Sequence, residues 1–425
     1  MRHALFVTFQ YPPDASSSGV LRTLKYTRHL AEHGWRVTVL SVATSAYETV
    51  DAATLADIPA SVRVVRTPYL DTRKHLAVRG RYLALAALPD RFIGWLPWAV
   101  AAGVRIAQSD PFDLIYSTSP PATAHLVAWR LARRLHKPWV ADFRDPWFED
   151  PPEPGAPAGN IFRGIDRRLE AGVVAGARHV VASTESLRDL LAARHGLLDG
   201  AKFGFIPNGY DEADFAPVAG DPSAALSKHE HMSIVHAGSI NPDFRDPIPL
   251  LRALRSAADQ GLLDLDRIRL RFLGGGAHAE SAALRHAIDE NGLVDVVQIL
   301  PRVPYAQALA ELARADVLLL LQASEDTRAL VPAKLYEYLR MGKPVLALTL
   351  PGESSALLAR TGGGVVVDPA DGAALVQALG RLYGLWREGT IERLHADPDR
   401  LAQYDRRALA ARLAAVFASA LTAPS

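Results

Sequence analysis

Short runs of apolar residues alternate with stretches of helical spacing along most of the chain. In the first half the runs lie at residues 3–9, 36–40, 62–66, 113–119, 138–147 and 179–185. In the second half they lie at residues 233–237, 268–273, 296–300, 315–322, 345–348 and 363–367. Several are apolar almost throughout, which is typical of strands that are covered on both faces. The pattern therefore predicts an α/β fold in which helices cover parallel sheets.

The length of the chain indicates more than one domain, because 425 residues exceed one ordinary hydrophobic core. A polar run from residue 211 to about 231 looks like a linker between the two series of strands and helices. We therefore predict two doubly wound, Rossmann-like domains, an N-terminal one over 1–210 and a C-terminal one over 211–400. A last helix over 401–425 could return to the first domain.

The composition narrows the function classes. The net charge is +1, which gives no electrostatic reason to expect a nucleic-acid partner. Cysteine is absent, so disulfides, thiolate catalysis and cysteine-ligated zinc are excluded, as suits a reducing cytoplasm. No signal-peptide pattern precedes the first strand, and no apolar run reaches the roughly 20 residues that a spanning helix needs. A cytoplasmic protein is therefore expected.

One irregular segment, residues 71–106, combines basic and aromatic side chains. Its basic residues are Arg73, Lys74, Arg79, Arg81, Arg91 and Arg105, and its large aromatic residues are Tyr82, Phe92, Trp95 and Trp98. Such a combination favours a helix at an anionic membrane surface. The alternative is a pair of helices packed on the N-terminal sheet, with basic residues that are merely solvated.

A short helix is bounded by Pro332 and Gly342, and the strand at 345–348 follows it directly. Lys334 lies in its first turn and Glu337 one turn later. In an open parallel sheet, ligands bind beyond the carboxyl ends of the strands and near helix N-termini. Lys334 is then a candidate for an anionic ligand and Glu337 for sugar hydroxyls, although an ordinary solvated helix surface would also contain such residues.

Three turns rich in small residues follow predicted strands. They lie at residues 10–19, at Gly238-Ser239 and at 274–276, and none has the GxGxxG spacing of a dinucleotide site. Arg245 lies ahead of the helix that Pro247 begins, so N–H groups and a guanidinium can converge on a phosphate. The three glycines at 274–276 could equally form only a flexible turn.

Charged residues cluster where another predicted strand ends, at Asp142, Arg144 and Asp145. Charges at the end of a buried strand are costly unless they are paired or functional. Either an Asp–Arg pair stabilises this loop, or the residues contact a substrate. The loop at 150–160, rich in proline and glycine, is a candidate lid.

The order of these motifs resembles the GT-B glycosyltransferases, and within them the retaining group called glycosyltransferase family 4. Its members build bacterial polysaccharides and glycolipids from nucleotide sugars. The similarity spans essentially the whole chain, in residues 11–13, 18–19 and 22, 142–147, 206–211, 237–239, 273–276 and 331–344. It implies that the second domain holds a nucleotide sugar, the first holds the acceptor, and the reaction takes place in the cleft between them.

The resemblance implies a set of donor-binding residues: Gly19, Gly238, Ser239, Arg245, Gly274, Gly275, Lys334, Leu335 and Glu337. Arg245 stands near the family's diphosphate-binding lysine, and Ser239 occupies a position where many members have arginine. Lys334 is then the candidate for the missing cation. Glu337 matches the glutamate that binds ribose hydroxyls, whereas Ala329 replaces the glutamate that usually contacts the sugar.

The same resemblance implies catalytic candidates in the first domain. Arg144 falls where many members place a histidine near the reacting sugar, which leaves Asp145 or Asp142 to orient the acceptor hydroxyl. No nucleophile is evident, so a front-side substitution with retention is expected, in which the leaving diphosphate helps to deprotonate the acceptor. No Asp-x-Asp triplet follows a strand, so we expect neither a metal nor a cofactor besides the donor.

The predicted function is therefore transfer of a sugar from a nucleotide-sugar donor to a lipid-linked or polysaccharide acceptor in cell-envelope polysaccharide biosynthesis. The expected location is the cytoplasm, with peripheral contact at the inner face of the plasma membrane through residues 71–106. Two alternatives remain: a nucleotide-sugar epimerase or hydrolase of the same fold, and an inactive nucleotide-sugar-binding module.

Overall fold

The computed structural model describes residues 1–16, 19–77, 84–148, 160–196, 202–219 and 230–422. The chain divides into two compact units. The N-terminal unit contains Met1–Asn208 and Arg406–Ser425, and the C-terminal unit contains Gly209–Asp405. The chain therefore passes from one unit to the other at residues 208–209 and again at residues 405–406.

In the described part of the N-terminal unit, seven parallel strands form one sheet in the order β3-β2-β1-β4-β5-β6-β7. The strands are β1 Arg2–Thr8, β2 Trp35–Val42, β3 Arg63–Thr67, β4 Leu114–Ser119, β5 Trp139–Phe143, β6 His179–Ala182 and β7 Phe203–Phe205. The helices along residues 1–208 are α1 Gly19–His29, α2 Thr72–His75, α3 Leu96–Ser109, α4 Thr123–Leu135, α5 Asn160–Gly176 and α6 Glu185–Arg194. The strand order reverses between β1 and β4.

In the described part of the C-terminal unit, six parallel strands form a sheet in the order β10-β9-β8-β11-β12-β13. They are β8 Met232–Ala237, β9 Ile268–Leu273, β10 Val297–Leu300, β11 Val317–Gln322, β12 Val345–Thr349 and β13 Gly364–Val367. The helices are α7 Glu212–Ala219, α8 Ile248–Asp259, α9 Ala282–Glu290, α10 Tyr305–Ala313, α11 Ala333–Arg340, α12 Glu353–Thr361, α13 Gly372–Glu388 and α14 Pro398–Leu401. Here the order reverses between β8 and β11.

Both sheets are covered on their two faces, which explains the continuous apolar runs. In β1, Leu5 packs into the cluster on one face and Phe6 into the cluster on the other. In β11, Leu319 and Leu320 divide between two clusters in the same way. The predicted α/β architecture with two doubly wound parallel sheets is confirmed.

The last helix, α15 Arg406–Thr422, packs within the N-terminal unit, next to α1. Phe417 is fully buried, with its ring centroid 5.1 Å from that of Trp35 and 6.1 Å from that of Phe6. The helix therefore covers part of one face of the N-terminal sheet.

The interpretation of residues 211–231 as a linker was wrong for its first part. Residues 212–219 form α7, and Asp211 accepts a hydrogen bond from the backbone N–H of Ala213 at 3.1 Å. Phe215 is buried in the C-terminal core, which gives the helix an apolar anchor that the polar neighbours obscured. Residues 220–229 lie outside the described residues.

The segment 71–106 contains core residues as well as exposed ones. Trp95 is fully buried, and its Nε1 donates to Thr67 Oγ1 at 2.7 Å. Arg91 pairs with Glu48 at 2.7 Å. By contrast, Trp98 and Leu85 are exposed. Contacts within the N-terminal unit account for Trp95 and Arg91. Membrane contact through Trp98 and Leu85 stays a prediction. Arg79, Arg81 and Tyr82 lie outside the described residues, as does the candidate lid up to residue 159.

The start of β13 offers a test of the sheet. Gly364 has φ +150°, and a Cβ there would overlap the carbonyl oxygen of Val345 on the paired strand β12. We expect Gly364→Ala to lower the free energy of unfolding by about 3 kcal/mol, measured by urea denaturation. Gly372→Ala is the matched control, because no atom lies within 4 Å of the added methyl group. Equal stability of the two variants would contradict the assigned strand contact.

Candidate functional site

Two glycine-containing turns meet at the carboxyl ends of β8 and β9 in the C-terminal unit. The N–H of Gly238 donates to Leu273 O at 2.8 Å, and the N–H of Ile240 donates to Gly275 O at 2.9 Å. Gly238 has φ +118° and Gly274 has φ +72°, which are conformations that side chains other than glycine rarely adopt. The structure thus brings together two turns that the sequence singled out separately.

Lys334 reaches this turn from the first turn of α11. Its Nζ donates to Ala237 O at 2.6 Å, and a Cβ at Gly238 would lie 2.5 Å from Nζ. Gly238 is therefore required twice, for its backbone conformation and for the space that the lysine occupies. Tyr338, one turn later on α11, accepts a hydrogen bond from the N–H of Ala237 at 2.9 Å and holds the helix against the end of β8.

Arg245 lies on the other side of the same turn. Its Nη1 donates to Ser239 Oγ at 2.8 Å, so two of the predicted donor-binding residues are in direct contact. Its guanidinium also lies over the ring of Phe244, at 5.1 Å from the centroid. Neither Arg245 nor Lys334 forms a salt bridge with any residue in the described part of the chain.

The pKa values of the residues at the Gly238-Ser239 turn reflect the presence of two neighbouring cations. Burial and, next, the charge of Arg245 lower the pKa of Lys334 to about 7, and Glu337 only partly opposes this. Burial also lowers the pKa of Arg245. His236, behind the turn, has its pKa lowered to about 3, chiefly by burial, so it carries no charge at neutral pH. An anion placed here would relieve the repulsion between the two cations.

Glu337 lies one helical turn beyond Lys334 and is largely buried. Its Oε1 accepts a hydrogen bond from the hydroxyl of Tyr305 at 3.0 Å. Tyr305 begins α10, and the sequence had not suggested it as a site residue, because a single tyrosine after a proline gives no functional signal. Leu335 must be reassigned, since its side chain is fully buried in the core and offers no side-chain contact to a ligand.

The loop that contains Ala329 is fixed by neighbours on two elements. Gln322 Nε2 donates to the carbonyl oxygens of Thr327 and Leu330, and Ser354 Oγ donates to Gln322 Oε1 at 2.7 Å. The small residue at 329 therefore lies on an ordered loop, partly accessible to solvent.

In the N-terminal unit, Asp142 at the end of β5 is paired with Arg22 on α1. The guanidinium donates to the two carboxylate oxygens at 2.8 and 3.0 Å, and both side chains are buried. Tyr116 and Thr118 also donate to Asp142, at 2.6 and 3.1 Å. Burial opposes ionisation of Asp142, but Arg22 outweighs it, so the pKa of the carboxyl lies below its ordinary value.

The guanidinium of Arg22 also binds the backbone just before the chain leaves the N-terminal unit. Nη1 donates to Pro207 O and Nη2 donates to Ile206 O, both at 2.8 Å. The structural alternative for this loop, an Asp–Arg pair, is therefore present, although its arginine is Arg22. Asp142 has no exposed surface, so in this arrangement it supports the site and cannot reach a substrate.

Arg144 and Asp145 diverge immediately after β5. Arg144 is buried and donates to Ser119 O at 2.8 Å, to Pro120 O at 3.1 Å and to Gln10 Oε1 at 2.6 Å. The side chain of Asp145 is exposed, yet the surrounding protein raises its pKa, and the charge of Arg144 only partly counteracts this. Of the two predicted catalytic carboxylates, only Asp145 is open to solvent.

Gly19 is the first residue of α1 and lies against Arg144. A Cβ at this position would overlap Arg144 Nη1. The preceding Ser17 and Ser18 lie outside the described residues, whereas Asp14 accepts hydrogen bonds from both the N–H and the hydroxyl of Ser16. The guanidinium of Arg144 thus occupies the space beside Gly19 where the sequence predicted that a ligand would approach.

Family models match most of the chain. Residues 19–209 match the Glycosyl transferase 4-like domain, and residues 232–384 match Glycosyl transferases group 1. The chain belongs to the GT4-like glycosyltransferases. The predicted family and the predicted enzyme class are both confirmed. A search of curated proteins found no match.

Solved structures resemble this glycosyltransferase over nearly its whole length. Sucrose-phosphate synthase from Thermosynechococcus elongatus has a TM-score of 0.66 at 15% identity and covers 99% of this chain and 98% of its own. A glycosyltransferase from Rickettsia africae has a TM-score of 0.67 at 13% identity, with full coverage of both chains. HepE of Anabaena, solved with UDP and glucose, has a TM-score of 0.64 at 16% identity and covers 99% and 100%. These similarities establish the GT-B fold.

Two further observations concern the described residues of this glycosyltransferase. None of their helices has both the length and the hydropathy that crossing a membrane requires. No three of their histidine, aspartate or glutamate side chains are grouped as ligands of a metal ion would be.

The Arg22–Asp142 pair predicts a large difference between two aspartates. Asp142→Asn would leave the buried guanidinium of Arg22 without its counter-charge, so we expect a loss of about 3–5 kcal/mol in the free energy of unfolding. Asp110→Asn is the control, because Asp110 pairs with Arg36 at 2.7 Å in a partly exposed place, where the cost should be below about 1 kcal/mol. Urea denaturation of both variants measures the difference, and similar losses would contradict the structural role of Asp142.

Proposed function

We propose that this glycosyltransferase takes its sugar from a nucleotide-sugar donor bound to the C-terminal unit. The proposal rests on one observation: Arg245 and Lys334 converge on the Gly238-Ser239 turn without a salt-bridge partner in the described residues. Cations that are partly buried are normally paired, so these two are suited to a ligand with two adjacent negative charges. A diphosphate is such a ligand.

The surrounding backbone supports the same ligand. The turn has no Cβ at Gly238, and the helix α8 begins just beyond Arg245, so the positive end of its dipole adds to the cations. HepE, whose fold is similar, was solved with UDP and glucose. That protein shares only 16% of its residues with this chain, so the argument depends on the cations themselves.

Glu337 is proposed to accept hydrogen bonds from the ribose hydroxyls of the donor. It lies one turn from Lys334 on α11, and the hydrogen bond from Tyr305 fixes its orientation. A diphosphate at Lys334 and a ribose at Glu337 are consistent with a nucleotide laid along the first two turns of the helix. The identity of the base is then selected by other contacts.

The proposed reaction proceeds with retention by front-side substitution. The bond between the sugar and the diphosphate breaks, the acceptor oxygen attacks the same face, and its proton passes to the leaving phosphate oxygen. Arg245 and Lys334 stabilise the charge that develops on the diphosphate. Asp145 is the proposed residue that orients the acceptor hydroxyl, because its carboxylate is exposed and Asp142 is fully paired. Neither a metal ion nor a further cofactor takes part in this scheme.

The proposed acceptor is lipid-linked or a polysaccharide, bound by the N-terminal unit at the inner face of the plasma membrane. In this unit Arg73 and Lys74 are exposed near the exposed Leu76, and Leu85 and Trp98 follow along the same segment. Cationic and apolar side chains together suit an anionic lipid surface. A role in cell-envelope polysaccharide biosynthesis follows from such an acceptor.

A donor screen tests this proposal. We expect one of UDP, GDP and ADP to raise the melting temperature, because a ligand that binds only the native state stabilises it. Arg245→Ala and Glu337→Ala should abolish this shift and slow transfer, assayed in EDTA, by ~10²-fold or more.

Arg255→Ala is the matched control, since Arg255 on α8 has a partly exposed side chain that pairs with Asp259. It should retain both binding and transfer. Normal activity in the Arg245 and Glu337 variants would refute the site, and activity that EDTA abolishes would refute metal independence.

The pKa of Lys334 predicts a pH dependence of donor binding. Because this pKa is about 7 in the free protein, the lysine is cationic below that pH and neutral above it. Affinity for the nucleotide sugar should therefore fall as pH rises from 6 to 9, by up to ~tenfold per unit above 7. Calorimetry should also detect proton uptake on binding at pH 8.

A nucleotide sugar is the right ligand here, since a free terminal phosphate titrates at about pH 6 and would add its own pH dependence. Lys334→Met should bind weakly with a flat profile. Neighbouring groups do not reproduce the effect, because the pKa of His236 is about 3 and Arg245 stays charged. A wild-type affinity that is constant from pH 6 to 9 would contradict the role of Lys334.

A further inference from the structure

The helices α3, α4 and α5 lie side by side on one face of the N-terminal sheet and pack into one hydrophobic cluster with it. Glycines let the helices approach closely. A Cβ at Gly103 of α3 would lie 2.5 Å from Leu131 Cδ1 of α4. A Cβ at Gly172 of α5 would lie 2.7 Å from Trp129 Cη2 of α4. The sides of the helices that point away from the sheet therefore form one outer surface.

This outer surface contains many arginines and few acidic residues. Helices α3 and α4 contain no aspartate or glutamate. In α5, Asp166 accepts a hydrogen bond from Trp147 Nε1 at 3.2 Å, and Glu170 is buried and pairs with Arg194. We define the arginine face by exposed residues of these helices: Arg105, Arg130, Arg133, Arg134 and Arg168.

The arginine face has no counter-charge in the part of the chain that the structure describes. No carboxylate there lies within salt-bridge distance of its guanidinium groups. Exposed arginines elsewhere are commonly paired, as Arg328 is with Glu325 at 2.6 Å and Arg407 with Glu32 at 3.0 Å. The net charge of the whole chain is only +1, so positive charge is concentrated on this surface.

The helix dipole accounts for only part of this pattern. Arg133 and Arg134 lie in the last turn of α4, where the negative end of the dipole favours cations. Arg130 lies one turn before Arg134, and like charges at this spacing repel each other. The last turns of α3 and α5 contain no basic residue, so Arg105 and Arg168 gain no such stabilisation. The arginine face is therefore suited to an anionic partner.

We infer that the arginine face binds the anionic lipid headgroups of a membrane. Trp98, Ala101 and Arg105 are exposed on one side of α3, so an indole that can enter the lipid interface accompanies the cations. The cations are spread over three neighbouring helices, which suits headgroups distributed in a plane. The inference rests on the proposed function, which places the acceptor at a membrane. It assigns most of the electrostatic contact to α4 and α5, outside residues 71–106.

Vesicle binding by the full chain tests the inference. Vesicles of phosphatidylcholine alone are compared with vesicles of equal parts of phosphatidylcholine and phosphatidylglycerol by flotation at constant ionic strength. We expect the wild type to bind the anionic vesicles at least ~tenfold more tightly than the neutral ones. This preference should weaken as salt is added, because salt screens exposed charges.

A triple variant removes part of the arginine face: Arg130→Gln, Arg134→Gln and Arg168→Gln. Each cation near an anionic surface contributes about fivefold to the affinity, so binding to the anionic vesicles should weaken by ~100-fold. The melting temperature should stay the same, because the substituted side chains are exposed and glutamine is a good helix former.

The matched control removes the same charge from exposed positions on helices of the C-terminal unit: Arg252→Gln, Arg285→Gln and Arg381→Gln. It should bind the anionic vesicles within about twofold of the wild type, because these positions lie outside the arginine face. The vesicles contain neither nucleotide nor sugar. A failure of the donor screen therefore leaves this comparison intact, and the two failures are distinguishable.

Several results would overturn the inference. They are equal binding of the wild type to both kinds of vesicle, an unchanged affinity of the arginine-face variant, and an equal loss of affinity in the control. The last would show that only the net charge matters. A higher affinity for polyuridylate than for the anionic vesicles, lost in the arginine-face variant, would assign the face to nucleic acid instead.

Discussion

Parallel sheets covered on both faces restrict where this chain can place a charge. The strands β1, β4, β11 and β12 are buried along almost their whole length, so a charged side chain within them would need a partner in the core. Charge is tolerated where strands end and loops leave the sheet. The ends of β5 and β8 are therefore where Asp142, Arg144 and the Lys334–Arg245 pair are found. The position of the candidate site follows from this constraint before any specific chemistry is considered.

The two units satisfy this constraint in different ways. In the N-terminal unit, Arg22 and Asp142 neutralise each other, and Arg22 also binds the carbonyls of Ile206 and Pro207 just before the chain leaves the unit. In the C-terminal unit, Arg245 and Lys334 increase the local positive charge, at the cost of a depressed pKa for the lysine. A neutralised pair can stay buried without a ligand, whereas two cations without a counter-charge are available to an anion. Arg144 is buried as well, but its hydrogen-bond acceptors are backbone carbonyls and the amide oxygen of Gln10.

Glycines permit the close approaches at both places. Gly238 leaves room for Lys334 Nζ, and Gly19 leaves room for Arg144 Nη1. At Gly238 the backbone conformation also requires glycine, whereas at Gly19 only the space does. In both cases the absence of a side chain lets a cation lie directly against the backbone. At Gly238 this backbone follows a strand, and at Gly19 it begins a helix. The glycines at positions 19 and 238 thus leave the space that the neighbouring cationic groups occupy.

Local sequence patterns were sufficient to predict the alternation of strands and helices, the class of fold, and the positions of the glycine turns. These depend on local periodicity and on turn residues, which are encoded over a few residues. It also placed Lys334 and Glu337 on one helix, because their spacing alone puts them one turn apart. It missed α7, since a single buried Phe215 among polar residues gives little periodic signal.

The pairing of the charges could not be predicted from local patterns, because it depends on how the folded elements pack. Arg22 and Asp142 are 120 residues apart, and nothing local indicates that they meet. Likewise, the contact of Tyr305 with Glu337 and the burial of Leu335 depend on how helices pack. Pairing depends on distances between side chains from different elements, which are fixed when the sheet and its helices assemble. The sequence thus predicted which charged residues could lie at the site, and the fold determined which of them are neutralised by a partner.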